Sequence, residues 1–280
     1  MTVELTSLDR VVWPEAGFTK GAMVDYYTRA ADALVPHLAG RPVTLVRFPE
    51  GVHRQGWYQT QCSGAPGWIG TARIGTQDYC VLDDLGGILW AVNRGTIELH
   101  PFLARARRLD EPTAVAFDLD PGPPADVTTC CEVALLLREE LAARGLAAFA
   151  KTSGSMGLHV FVPLARATYD ATKGFARALA VELAERRPDL VVARKERRLR
   201  AGKVLVDWAQ NDRTKSLVGA YSLRALPWPT VSTPLSWEEV EAAAAERRPE
   251  RLTFLPDLVL ARLERFGDLF RPVLELEQAL

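Results

Sequence analysis

The 280-residue sequence predicts a mixed α/β or α+β protein, and three observations lead there. Short apolar runs suited to strands are interleaved with longer runs of helical period, so the chain is neither all-helical nor all-strand. Its length, set against ~150 residues per module, allows about two packed lobes. No internal repeat, low-complexity run or clear linker divides it, so residues 1–280 read as a single domain with two interlocked lobes.

Taken in order, Thr19 caps a periodic run from Lys20 to about Leu38, the first helix. Pro42 to Val46 is a short strand, and residues 50–70, rich in Gly, Pro, Trp and Tyr, read as an irregular surface segment. A short helix spans Asp84 to Arg94, and a strand covers Thr96 to His100. The strand Thr113 to Asp120 is ended abruptly by Pro121-Gly122-Pro123-Pro124. An amphipathic helix over about 126–144 stops at Gly145, which suits the position just past a helix end. Strands follow near 146–151 and 158–164, a helix near 170–187, strands near 203–208 and 218–224, and a mostly helical tail from Ser236.

Composition narrows the class. With 48% hydrophobic and 25% charged residues, a disordered or fibrous chain is excluded. No stretch approaches the ~18 apolar residues of a membrane span. MTVELTSLDRVVWPEAG lacks the basic and apolar regions of a secretory signal. Cys62, Cys80, Cys130 and Cys131 form no CxxC pair; they are expected to be buried free thiols in a reducing cytosol, with no cysteine zinc site. The 34 basic and 35 acidic residues leave a formal charge of −1, which by itself does not announce a nucleic-acid binder. Polyanion binding depends on local charge, however. ARKERRLRAGK, residues 193–203, gathers six basic residues beside one acid, and alone reads as solvated surface.

The chemistry starts at Asp118-Leu119-Asp120. Residues i and i+2 of a strand share a face, so both carboxylates project together while Leu119 faces the core. Two carboxylates that close repel unless a cation lies between them. Asp207 ends another apolar strand, KVLVDW, where an unpaired charge is costly. A third carboxylate joining the pair makes an oxygen-rich site for Mg²⁺ or Mn²⁺, and two such ions balance three acids for in-line phosphoryl or nucleotidyl transfer. In KTSGSMGLHVFV, Gly154 and Gly157 permit a tight turn whose N–H groups suit phosphate, and His159 points away from the apolar side formed by Leu158, Val160 and Val162. Lys215, after the Asp207 strand, and Arg224, in YSLR, are cations suited to a triphosphate.

The ordered set FDLDPG, TSGxxGLHV, GKVLVDWxQNxxxK and YSLR resembles the polymerase domain of bacterial ligase D, within the archaeo-eukaryotic primase superfamily, from about Ser7 to Leu263. That resemblance implies a two-lobed core with an RRM-like antiparallel sheet and template-directed addition of nucleotides, often ribonucleotides, with manganese. It implies metal-binding roles for Asp118, Asp120 and Asp207, nucleotide contacts for Ser153, His159 and His100, and phosphate contacts for Lys215 and Arg224. It places Arg10 and Lys20 at a reader of the downstream 5′-phosphate, and Trp57 and Tyr58 where aromatic rings stack on template bases. The helix start at Lys20 also suits an anion. Thr60 and Met156 depart from the family pattern, which commonly carries Lys at both places. In that setting Arg197 and Arg198 become DNA-backbone contacts. The expected partners are gapped, overhanging or 5′-phosphorylated DNA, NTPs or dNTPs, Ku and a separate ligase. The expected setting is a bacterial cytoplasm and nucleoid, as a monomer off the membrane. No K-x-D-G ligase motif occurs, so the chain is expected to be a stand-alone polymerase or an excised domain, and the start at Met1 leans towards the former. Two rival readings remain: a manganese-dependent glycosyltransferase, which leaves Asp207 and the GLHV strand without roles, and a non-catalytic nucleic-acid-binding module, which three retained carboxylates disfavour.

Overall fold

The computed structural model describes residues 3–280. The chain divides into two compact units. Among the described residues, one is built from 3–109, 216–232 and 254–268, the other from 110–215, 233–253 and 269–280.

In the first unit, β1 (Val11–Trp13) pairs with β2 (Phe18–Thr19), and the chain enters α1 (Lys20–Arg29) directly. Thr19 caps α1, its hydroxyl accepting the Ala22 N–H as its sequence position predicts. The single helix expected up to Leu38 is two: α2 (Ala31–Leu38) follows a break at Ala30. The break lets Tyr26 and Tyr27 on one helix and Leu34 and Leu38 on the next all be buried. A five-stranded antiparallel sheet follows, made of β3 (Pro42–Arg47), β4 (Trp57–Gln59), β5 (Gly70–Ile74), β6 (Gln77–Val81) and, after α3 (Leu85–Asn93), β7 (Thr96–Pro101). β7 lies along one side of β3, while β4 and β6 share the other. Asp84 caps α3 through the Gly87 N–H.

Two further expectations fail in this unit. Cys62 and Cys80 are joined in a disulfide, because the β5–β6 hairpin brings Cys80 beside the segment that follows β4. Cys130 and Cys131 are buried free thiols, as expected. Residues 218–224 do not form a strand; they hold only an isolated bridge, Leu223 to Val231, and Tyr221 takes a positive φ of 64°.

Two short strands, β8 (Ala104–Arg105) and β9 (Arg108–Pro112), precede the main part of the second unit. There, β10 (Ala114–Pro121), α4 (Val127–Ala143), β11 (Phe149–Thr152), β12 (Leu158–Pro163), α5 (Tyr169–Arg186) and β14 (Val204–Asp207) make a βαββαβ unit of the RRM-like kind. β13 (Val191–Val192) and β15 (Pro234–Leu235) extend its edges, giving the order β13-β14-β10-β12-β11-β15. All neighbours are antiparallel except β13 and β14.

The sequence explains the helices. Asp126 and Thr129 form a reciprocal capping box at the start of α4. Gly145, at φ 73°, follows its end, and the Leu146 N–H returns to the Leu141 carbonyl, a Schellman-type stop. Val115, Phe117, Leu119, Leu158, Val160 and Val206 carry the apolar side of the sheet and are all fully buried. Alternation sends Asp118, Asp120, His159 and Asp207 to the opposite side.

Candidate active site

Strand register builds the site. In adjacent strands Asp118 stands opposite Asp207 on β14 and opposite His159 on β12, and His159 stands opposite Lys151 on β11. One transverse row therefore reads Asp207, Asp118, His159, Lys151, with Asp120 two residues further along β10 on the same face. The carboxylates of Asp118 and Asp207 share one donor: Gln210 Nε2 lies 3.3 Å from Asp118 Oδ2 and 3.2 Å from Asp207 Oδ2. Lys195 Nζ is 2.7 Å from Asp207 Oδ2, and Arg200 is 3.8 Å from Asp120. The Ala209 N–H donates to the other Asp207 oxygen at 3.0 Å. His159 Nε2 lies 3.2 Å from Asp118 Oδ1, and its Nδ1 lies 3.0 Å from the buried Lys151 ammonium. Lys can only donate, so Nδ1 accepts and the proton of a neutral ring sits on Nε2, aimed at Asp118.

The electrostatics favour a cation. Burial first, then the charge of Asp118, push Asp120 up to about 6; Arg200 opposes them, Asp207 adds a weaker push, and Lys195 a weaker pull. As they stand, no three acidic, His or Cys groups among the described residues converge as a ready-made metal cluster. The donor chemistry nevertheless fits a hard divalent ion. All three side chains offer oxygen, and the charges of Asp118 and Asp207 both act on Asp120, while Lys195 and Arg200 of the basic segment stand beside Asp207 and Asp120. Asp118, Asp120 and Asp207 are the residues that would hold such an ion.

The glycine turn lies against the same strand. Ser153 Oγ accepts the N–H groups of Ser155 and Gly157 at 3.2 and 3.1 Å, and Gly154 has φ 72°. A Cβ on Gly157 would lie 2.2 Å from the Leu119 carbonyl oxygen, so only glycine allows this approach to the residue between the two aspartates. Asn211, fully buried, clasps the Ala116 backbone through both its oxygen and its nitrogen, at 2.9 and 2.7 Å, which fixes the turn carrying Gln210. Lys215 is exposed beyond the Asp212 turn and is not among the partners of the carboxylates. Arg197 and Arg198 are exposed in the basic segment.

The other candidates belong to the first unit. His100 and Arg224 meet there through Glu98: Glu98 Oε2 is 2.7 Å from His100 Nε2 and 3.2 Å from Arg224 Nε. Trp57 and Tyr58 are 46% and 66% exposed on β4, available for stacking, and the Tyr58 ring meets His100 edge-on at 5.8 Å. Lys20 is not a solvent-facing lysine at a helix start. It is buried, and its ammonium bonds the Thr6 carbonyl at 2.6 Å and Asn93 Oδ1 at 2.7 Å. Burial and then the nearby Arg10 charge lower its pKa, while the buried Nε of Arg10 finds no hydrogen-bond partner among the described residues. Two like charges side by side, one with an unmet donor, suit an anion.

Sequence reasoning missed Gln210, Lys151, Glu98 and Asn211. The only signals were Glu98 two residues before His100 on one strand, and the polar Gln-Asn pair that directly follows the Asp207 strand.

A βαββαβ sheet bearing three aspartates on two adjacent strands beside a glycine turn defines the class: a metal-dependent nucleotidyltransferase of the primase-polymerase kind. The family model described as "LigD, primase-polymerase domain" matches residues 19–270, and the chain belongs to that family. It is 38% identical over 281 residues to the multifunctional non-homologous end joining protein LigD of Mycolicibacterium smegmatis, covering 97% of this chain and 36% of that protein. It is 36% identical over 285 residues to the multifunctional non-homologous end joining DNA repair protein LigD of Mycobacterium tuberculosis, again covering 36% of that protein. The chain thus spans about a third of the length of these relatives. The solved polymerase domain from Mycobacterium tuberculosis ligase D, in complex with DNA, is similar over 99% of both chains, with a TM-score of 0.91 and 34% identity.

Proposed function

We propose that this chain is a template-directed polymerase that adds nucleotides, with ribonucleotides preferred, to a primer 3′ end at gaps, overhangs or breaks in DNA during non-homologous end joining or gap filling. One observation carries the reading: Asp118 and Asp207 face each other across neighbouring strands with Asp120 on the same side, where burial first and then the charge of Asp118 push Asp120 up to about 6. Two Mn²⁺ or Mg²⁺ ions at these aspartates would supply activation of the primer hydroxyl and neutralisation of the triphosphate. The protein's own part is positioning and charge stabilisation. The Nε2–H of His159 and the glycine turn that holds Ser153 would orient the nucleotide, as would His100 and Arg224, with the exposed Lys215 contributing charge to its phosphates. Trp57 and Tyr58 would stack on the template, Arg10 and Lys20 would receive a 5′-phosphate, and Arg197 and Arg198 would contact the DNA backbone. Ku and a ligase are the partners such a reaction calls for, in a bacterial cytoplasm.

The test is Asp207→Ala, assayed for manganese-dependent extension of a primed, gapped DNA alongside a thermal melt. Extension is expected to vanish while the fold persists. Near wild-type extension would remove Asp207 from the reaction. Labelled nucleotide sugars supplied to the wild-type protein should give no transfer, and transfer would favour the glycosyltransferase.

A further inference from the structure

The carboxylate of Glu98 is an unusual object in the first unit. It is 5% exposed, sits two residues before His100 on β7, and shares that residue's face while Ile97 and Leu99 fill the core on the other. Three groups converge on it. His100 Nε2 lies 2.7 Å from Oε2, Arg224 Nε lies 3.2 Å from the same oxygen, and the Ala225 N–H donates to Oε1 at 2.9 Å. Burial alone would raise its pKa, yet His100, Arg224 and the Ala225 N–H together hold it below the ordinary value, so it stays ionised.

We propose that Glu98 is the positioning residue for nucleotide binding: one buried, ionised carboxylate that sets the His100 ring and the Arg224 guanidinium in a single fixed arrangement. The proposal rests on the reading of His100 and Arg224 as nucleotide contacts. An ionised carboxylate only accepts, so His100 must carry its proton on Nε2, which fixes tautomer and ring orientation together. The Tyr58 ring, edge-on at 5.8 Å and 89°, packs against the ring so held. Arg224 Nε faces the same oxygen as an ion pair, without the alignment of a hydrogen bond, so it is the charge of the carboxylate that draws the guanidinium to this place. The Ala225 contact anchors the backbone next to Arg224, and the Arg224 N–H bonds the Thr230 carbonyl at 2.8 Å, so main chain and side chain are tied at the same place. Without the carboxylate, each cationic or polar partner keeps its position in sequence but loses its orientation. Ground-state binding of nucleotide should then suffer more than turnover.

The experiment measures nucleotide KM and kcat for extension of primed DNA by wild type, Glu98→Gln, His100→Ala, Arg224→Ala and the double variants. Glu98→Gln is expected to raise KM about tenfold or more with kcat within about threefold. Its effect should largely disappear in the Arg224→Ala and His100→Ala backgrounds, since it acts through them. Wild-type KM in Glu98→Gln, or effects that simply add, would overturn the positioning role while leaving the nucleotide contacts standing. Wild-type KM in both His100→Ala and Arg224→Ala would instead sink the reading of those contacts, and this proposal with it. Should Glu98→Gln melt early, Glu98→Asp keeps the buried charge but withdraws it by one methylene. A raised KM in that folded variant supports the role, and an unchanged KM overturns it.

Discussion

At the scale of single residues, Asp120 gives the sharpest consequence. Its folded pKa of about 6 lies above the ordinary carboxylate value of 3.8, so between those pH values the folded state binds more protons than the unfolded one. Stability therefore falls as pH rises through that window. In the metal-free protein, Asp120→Asn is expected to raise the melting temperature at pH 7 and to flatten its decline between pH 4 and 6. Added Mn²⁺ should stabilise wild type but not the variant. Melts in chelator and in Mn²⁺ across that pH range check both points, and a variant that melts below wild type in chelator would show that repulsion at Asp120 is not a cost to the fold. The three aspartates were legible because each interrupts an apolar run at a strand end, where a charge needs a reason. Lys151 was not legible, because it meets His159 across strands and register is invisible until the sheet is assembled; Gln210 bonds Asp207 from three residues away, but its second contact, to Asp118, exists only once β14 lies beside β10.

At the scale of elements, the glycine turn and β10 behave as one piece. Gly157→Ala would place a methyl group 2.2 Å from a backbone oxygen that no side-chain rotation can move. The variant should lose about 1–3 kcal/mol of stability by urea denaturation, the usual cost of forced overpacking, and extension activity should fall with it. Loss of neither would mean that the turn can lift away from Leu119 without consequence. The βαββαβ elements were readable because caps and alternation agree: Asp126 before α4, Gly145 after it, and LHVFV alternating through β12. The β5–β6 hairpin went unread although Gly75, at φ 59°, sits in a two-residue loop with Thr76, a recognised hairpin signal. With the hairpin missed, the Cys62–Cys80 bond could not be foreseen. The α1–α2 break leaves no mark either, since Ala30 is the best of helix formers.

For the molecule as a whole, a formal charge of −1 means that the proposed binding to DNA would have to come from local clusters rather than from overall attraction. Binding to gapped DNA should weaken steeply with salt. Replacing Arg197 and Arg198 together with Ala should reduce the magnitude of the log–log salt slope by up to about 2, one phosphate each. In the same titrations, a 5′-phosphate on the downstream strand should tighten binding, and Arg10→Ala should remove that advantage. Equal affinity with and without the phosphate would count against Arg10 and Lys20 as its readers. A wild-type slope in the double variant would free the basic segment of any DNA contact.

The row Asp207, Asp118, His159, Lys151 takes one member from each of four neighbouring strands. No single stretch of sequence owns it; sliding one strand by two residues would carry its charged group about 7 Å out of line. Insertions in the connection after β12 should therefore be tolerated in engineering or evolution, whereas a one-residue deletion inside any of the four strands would dismantle the centre while leaving every one of its amino acids in place.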